Sequence, residues 1–243
     1  MHEESTSEGV PLTKAQLEIA GSLEEFTPPE TVALSFSRYS SEECHYGHQL
    51  LQLRDPQQTN VIYVAIQKTP DEVLQQWRSH SNGPAHRITI IDVGGLPRSK
   101  DDMTTMVTRD PASTKEVYIH QTSSYTDLTK LGMQLTRVLN RIEDKSGKIA
   151  ACWGSLSPFL EGNDLDRVYQ CLHVLFGQLS RAGCLTHFHI HPEKHDPKTL
   201  DTFRSLATSE ITVQPDEGIA IIRDFDRSRG DFQFTEEVSL SAD

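Results

Sequence analysis

Short apolar blocks alternate with amphipathic stretches along most of the chain, and this alternation is its strongest structural signal. "TVALSF" (31 to 36), "NVIYVAIQ" (60 to 67), "HRITIIDVGG" (86 to 95), "KIAACWGSL" (148 to 156) and "CLTHFHI" (184 to 190) predict strands, because β-branched and aromatic residues suit a pleated, buried surface. Helices are predicted between them. "EECHYGHQLLQL" (42 to 53) is one. In "TPDEVLQQWRSH", Thr69 stands as N-cap, Pro70 takes the first helical position and acids fill the first turn. "SYTDLTKLGMQLTRVLNRIED" (124 to 144) places Leu128, Leu131, Leu135, Val138, Leu139 and Ile142 on one face. "NDLDRVYQCLHVLFGQLSRAG" (163 to 183) starts at Asn163 or Asp164 and ends at Gly183, and "DPKTLDTFRSLATS" follows.

The rest of the chain is punctuation. "LTKAQLEIAGSLEEF" (12 to 26) spaces its apolar residues loosely for a helix that "TPPE" breaks. Leu96 to Thr114 is polar with two prolines and predicts a long surface loop. "EVYIHQ" predicts a short strand, and "GIAIIRDFDRSRGDFQF" (218 to 234) a hairpin turning at "DRSRGD". Parallel strands need crossovers, and crossover helices cover the sheet, so the expected fold is α/β: a mainly parallel, doubly wound sheet with helices on both faces and a C-terminal antiparallel hairpin. The expected domain spans 29 to 236, after a polar tail and helix (1 to 28) and before a disordered tail (237 to 243).

Composition narrows the function classes. Net charge is −12, from 35 acidic and 23 basic residues, which disfavours direct nucleic-acid binding and attraction to anionic membranes. Lysine is outnumbered by arginine, a lean toward salt-adapted cytoplasms. Cys44, Cys152, Cys171 and Cys184 lie far apart with no Cys-x-x-Cys pair, and no export signal or apolar run of about 18 residues is present. The expectation is a reduced, cytoplasmic protein with no membrane span.

In such sheets a nucleotide binds beyond the carboxyl ends of the strands, and the turn after the first strand is the usual phosphate cradle. A P-loop there reads G-x-x-x-x-G-K-[ST]. This chain has "EECHYGHQ", residues 42 to 49: Gly47 remains, Glu42 stands at the first glycine, His48 at the lysine and Gln49 at the hydroxyl residue. Glu42 and Glu43 would repel phosphate, whereas acids are favourable in the first turn of an ordinary capped helix. The strand that should end in a metal-ordering aspartate, "KIAACWGSLSPFL", has Trp153, Gly154 and Ser155 at its tip. Weak nucleotide binding without hydrolysis, through Gly47, Gln67 and Ser155, stays open.

The succession "NVIYVAIQKTPDEVLQQW", "ITIIDVGG", "TDLTKLGMQLTRVL", "WGSLSPFL" and "YQCLHVLFGQLSRAGCLTHFHIHPEKHD" resembles the haloarchaeal family of RecA/KaiC-like domains of unknown function, over about residues 31 to 235. The resemblance implies a RecA-type core with the terminal hairpin extending the sheet. Gly154 then replaces the aspartate of the KaiC-like strand and Ser155 matches its serine. Both the Walker A lysine and the Walker B aspartate being absent, it implies no ATPase activity. What it leaves is a degenerate nucleotide site (Gly47, His48, Gln49, Ser155) on a regulatory or scaffold module. Partners would be another protein or further copies of the chain.

One further cluster carries chemistry. "THFHIHPEKHD" (186 to 196) sets His187, His189 and His191 two apart, which on a strand puts them on one face with Leu185, opposite Phe188 and Ile190. Neutral imidazoles so placed suit zinc or iron, and Asp92, Glu193 or Asp196 could add a carboxylate for a metal-dependent enzyme. Pro192 ends the strand at once, and a polar strand end bonding its neighbouring loops explains the same letters. His195 and Asp196 read as loop and helix cap, and Ser155 and Ser157 lack a Gly-x-Ser-x-Gly elbow. Trp153 is either core or a lid.

Overall fold

The computed structural model describes residues 30–36, 42–52, 55–81, 83–93, 105–110, 114–122, 126–143, 148–214, 219–226 and 231–239. Its elements run β1 (Glu30–Phe36), α1 (Glu42–Gln52), β2 (Thr59–Ile66), α2 (Pro70–His80), β3 (Arg87–Val93), β4 (Thr105–Asp110) and β5 (Thr114–Thr122). They continue through α3 (Leu128–Glu143), β6 (Lys148–Ser155), α4 (Leu165–Arg181), β7 (Leu185–Ile190), α5 (Pro197–Arg204), β8 (Ser209–Gln214), β9 (Ile219–Asp226) and β10 (Asp231–Ser239). The helix expected at 12 to 26 lies outside the described residues.

The strands form one sheet in the order β10-β9-β8-β1-β7-β6-β2-β3-β5-β4, parallel from β8 to β5 and antiparallel at both ends. The mixed α/β fold with its C-terminal antiparallel pair is as the alternating blocks predict. All eight residues of β2 are buried, as expected of a parallel strand covered on both faces. α1 and α2 cover one face, where Leu51, Val73, Leu74 and Trp77 pack on Val61, Tyr63, Ile88 and Ile90. α3, α4 and α5 cover the other, with Leu131, Leu135, Val168, Leu172, Phe176 and Phe203 meeting Ile62, Val64, Ile91 and Phe188. Each such fully buried side chain contributes about 1.5–3 kcal/mol.

Helix ends follow the sequence closely. Thr69 and Glu72 form a reciprocal capping box: Glu72 N donates to Thr69 Oγ1 at 3.3 Å, and Thr69 N donates to Glu72 Oε2 at 2.7 Å. Asp164 caps α4, accepting from Arg167 N at 2.8 Å, and Gly183 takes a left-handed φ of 67° just past its end. Asp196 caps α5, accepting from Thr199 N at 3.1 Å.

Two boundaries differ from expectation. Within the expected loop 96–114, Thr105–Asp110 is a strand, paired antiparallel with β5 at the sheet edge. An edge strand pairs on one side only and needs no apolar run, so its polar letters concealed it. β10 continues to Ser239, past the domain end expected at 236. No helix of the described residues is long and apolar enough to cross a membrane.

Candidate functional site

Sheet register builds the site. On the face covered by α1, Val32, His187, Cys152 and Tyr63 stand side by side on β1, β7, β6 and β2. One step toward the carboxyl edge, Leu34 adjoins His189, and a register shift at Gly154 brings Ser155 opposite His189. A row of apolar, imidazole, thiol and phenol groups therefore crosses the middle of the sheet beneath a helix.

His187 and His189 do share a face, with Leu185, while Phe188 and Ile190 enter the opposite core. Their rings stack with centroids 5.6 Å apart, and Phe36 lies 5.9 Å from the His189 ring. His187 is completely buried, and neither of its ring nitrogens has a hydrogen-bond partner among the described residues. Burial, then the charges of His189 and His48, push its pKa well below the usual imidazole value, so it is neutral.

Among the described residues, the group able to gather a metal ion is Cys152, His187 and His189, whose ligand atoms all lie within 4.8 Å of one another. His191 is not in it. It is buried, but it sits past the end of β7 as the residue that precedes the 3-10 turn Pro192–Lys194. The proposed carboxylates do not join either: Asp92 lies on β3, with β2 and β6 between it and β7, Glu193 is exposed and Asp196 caps α5. Cys152 was not singled out from sequence as a ligand, because 35 residues separate it from His187 and only strand pairing joins them.

α1 closes over the row through Gly47. A Cβ there would fall 2.9 Å from His187 Nε2 and 3.2 Å from His189 Nε2, so only glycine lets the helix approach this closely. The neighbouring His48 points inward, shares a 2.9 Å hydrogen bond with the Tyr63 hydroxyl, and has the His80 ring at 5.4 Å and the Trp77 ring at 6.0 Å. Gln49 is buried as well. A cavity of about 30 Å³ remains beside them, lined by Gly47, His48, Tyr63, Lys68, Cys152, Gly154 and His189.

The other expected residues lie toward the carboxyl edge. Ser155 Oγ donates to Ser157 Oγ at 3.1 Å, and Ser157 Oγ lies 2.7 Å from His195 Nε2, so these side chains tie the ends of β6 and β7 together. Burial lowers the His195 pKa, against the opposing charge of Asp196. Gln67 is exposed just beyond β2 with φ 56°, a left-handed conformation uncommon for a residue with a Cβ. Trp153 is core: it is fully buried and meets Phe176 edge-on at 5.0 Å.

Fold and site together define a doubly wound α/β protein whose first crossover helix packs on a buried imidazole and thiol row. The chain belongs to the family of unknown function DUF7504, whose model matches residues 40–213. No curated protein matches it in sequence. Among solved structures it is similar to Project ID PH0250 from Pyrococcus horikoshii OT3, at 12% identity and a TM-score of 0.55, over 92% of this chain and 98% of that one. That likeness concerns the fold alone.

Proposed function

We propose that the chain is a non-catalytic RecA/KaiC-like regulatory or scaffold module with a degenerate nucleotide site, acting through protein–protein contacts. The observation that carries this reading is the orientation of His48. A P-loop lysine stands at the start of its helix and reaches outward to phosphate, whereas His48 is the seventh residue of α1, buried and bonded to Tyr63 across the sheet face.

Gly47 supports it in the same way, since its missing side chain accommodates His187 and His189 and no phosphate is needed to explain it. Gly154 offers no carboxylate where Mg²⁺ would be ordered, and the hydroxyl of Ser155 is engaged with Ser157. The RecA-type assignment rests on the resemblance and on β1 lying between β7 and β8, where the strand order reverses and α/β sheets open a crevice. For the contact role, Met133 on α3 and Val174 on α4 are both exposed and line one groove of about 560 Å³ between the two helices.

A metal-dependent enzyme built on His187, His189 and His191 is the second reading. The shared face of His187 and His189 favours it, although Cys152 and not His191 stands beside them.

The test is ATP turnover by the pure protein with Mg²⁺, run beside its solution mass. Turnover no higher than the buffer blank is expected, together with a self-association or a captured protein partner weakened by a Met133→Glu, Val174→Glu double variant. Appreciable hydrolysis by the pure protein would sink the reading.

A further inference from the structure

We propose that Cys152, His187 and His189 form a binding site for one transition-metal ion of the zinc class, held between β6, β7 and the Gly47 turn of α1. The inference does not depend on the fate of the nucleotide site.

Three observations meet here. His187 is completely buried with both ring nitrogens lacking a hydrogen-bond partner among the described residues, an arrangement that is costly unless something accepts a nitrogen lone pair. Second, strand register sets the Cys152 thiol and the His189 imidazole next to it, with all three ligand atoms within 4.8 Å of one another. Tetrahedral ligands at zinc distances are roughly 3.3–3.6 Å apart, so side-chain movements of about 1 Å bring the three onto one ion. Third, Nε2 of His187 and Nε2 of His189 both face the position that a Cβ on residue 47 would fill. Two of the three ligand nitrogens therefore converge on one point beneath the helix, which only glycine at 47 lets sit this close.

The donor set also selects the metal. One thiolate and two neutral imidazoles suit Zn²⁺ and its neighbours and do not suit Mg²⁺ or Ca²⁺, which take oxygen ligands. Binding forms a sulfur–metal bond at Cys152 with release of the thiol proton to solvent, while each imidazole donates a nitrogen lone pair to the ion. The cavity of about 30 Å³ bordered by Cys152 and His189 has room for a water molecule as the fourth ligand.

The experiment uses the full chain, stripped with chelator and then titrated with Zn²⁺ or Co²⁺. The expected result is one ion retained per chain after desalting, and a thiolate-to-cobalt charge-transfer band that disappears in Cys152→Ser. His187→Gln is expected to weaken binding at least tenfold while circular dichroism shows the variant folded. Should either variant fail to fold, X-ray absorption on the wild-type zinc form decides, with one sulfur and two imidazole nitrogens expected around the ion. Absence of tight binding, binding undiminished in both folded variants, or a zinc shell without sulfur would each overturn the proposal.

Discussion

His187 Nε2 lies 2.9 Å from the point where a Cβ on residue 47 would stand, closer than such atoms approach in proteins. Helix α1 is therefore seated on β7 through a glycine whose absent side chain is filled by an imidazole. Gly47→Ala improves helix propensity by about 1 kcal/mol but forces the His187 and His189 rings or the helix to shift, which costs typically 1–3 kcal/mol. A net loss of stability is expected, read as a lower urea midpoint with unchanged slope. An unchanged or higher midpoint would show that the helix is not seated as described.

The His48–Tyr63 bond makes a separate prediction. Tyr63→Phe keeps the ring that meets Trp77 edge-on at 6.5 Å and removes only the hydroxyl 2.9 Å from His48 Nε2. The expected loss is about 1 kcal/mol. In a double-mutant cycle with His48→Phe the two changes should be non-additive by a similar amount, since each removes the same bond. Additive losses would mean that the two groups do not interact.

How much of this could be read in the letters depends on the range of the interaction that each feature needs. Helix starts at Thr69, Asp164 and Asp196, and the stop at Gly183, are written within four residues, and the structure places them as the sequence predicts. The shared face of His187 and His189 also follows from local periodicity. Gly47 stood out as a letter, but its neighbours His187 and His189 lie 140 or more residues away, and a sequence pattern suggests a phosphate there. Cys152 carried no local signal, because an isolated cysteine in an apolar strand reads as core. β4 was concealed for the converse reason: it holds its place by backbone pairing to β5, which leaves little mark on side-chain pattern.

His120 on β5 gives the protein an acid-side dependence. Burial lowers its pKa from 6.5 to about 4, with Arg141 and Arg137 on α3 adding repulsion, against the raising effect of the Gln134 side chain. The folded protein thus holds His120 neutral where the unfolded chain is protonated. Its contribution is fully present above about pH 6.5 and is lost as pH falls from there toward 4, with a slope of at most about 1.4 kcal/mol per pH unit. Urea midpoints measured across that window should fall less steeply in a His120→Gln variant. Identical slopes in both proteins would remove His120 as a source of the dependence.

Glu210 and Arg204 form the most enclosed ion pair among the described residues, and its two halves should not be equivalent. The Glu210 side chain is 3% exposed, accepts from Arg204 Nε at 2.9 Å and has Arg223 Nη1 at 3.7 Å, whereas the two arginine side chains are 29% and 32% exposed. Together they join the end of α5 and strand β9 to β8. Removing the carboxylate in Glu210→Ala leaves two cations that water can reach. Removing the closer cation in Arg204→Ala leaves a buried carboxylate with one distant partner, which retains most of its desolvation cost. Arg204→Ala is therefore expected to lose roughly 3 kcal/mol and Glu210→Ala less, about 1–2 kcal/mol. Equilibrium unfolding of the two variants at one pH and salt concentration gives the order directly. A larger loss in Glu210→Ala would mean that the arginines, despite their exposure, are the groups that depend on the pair.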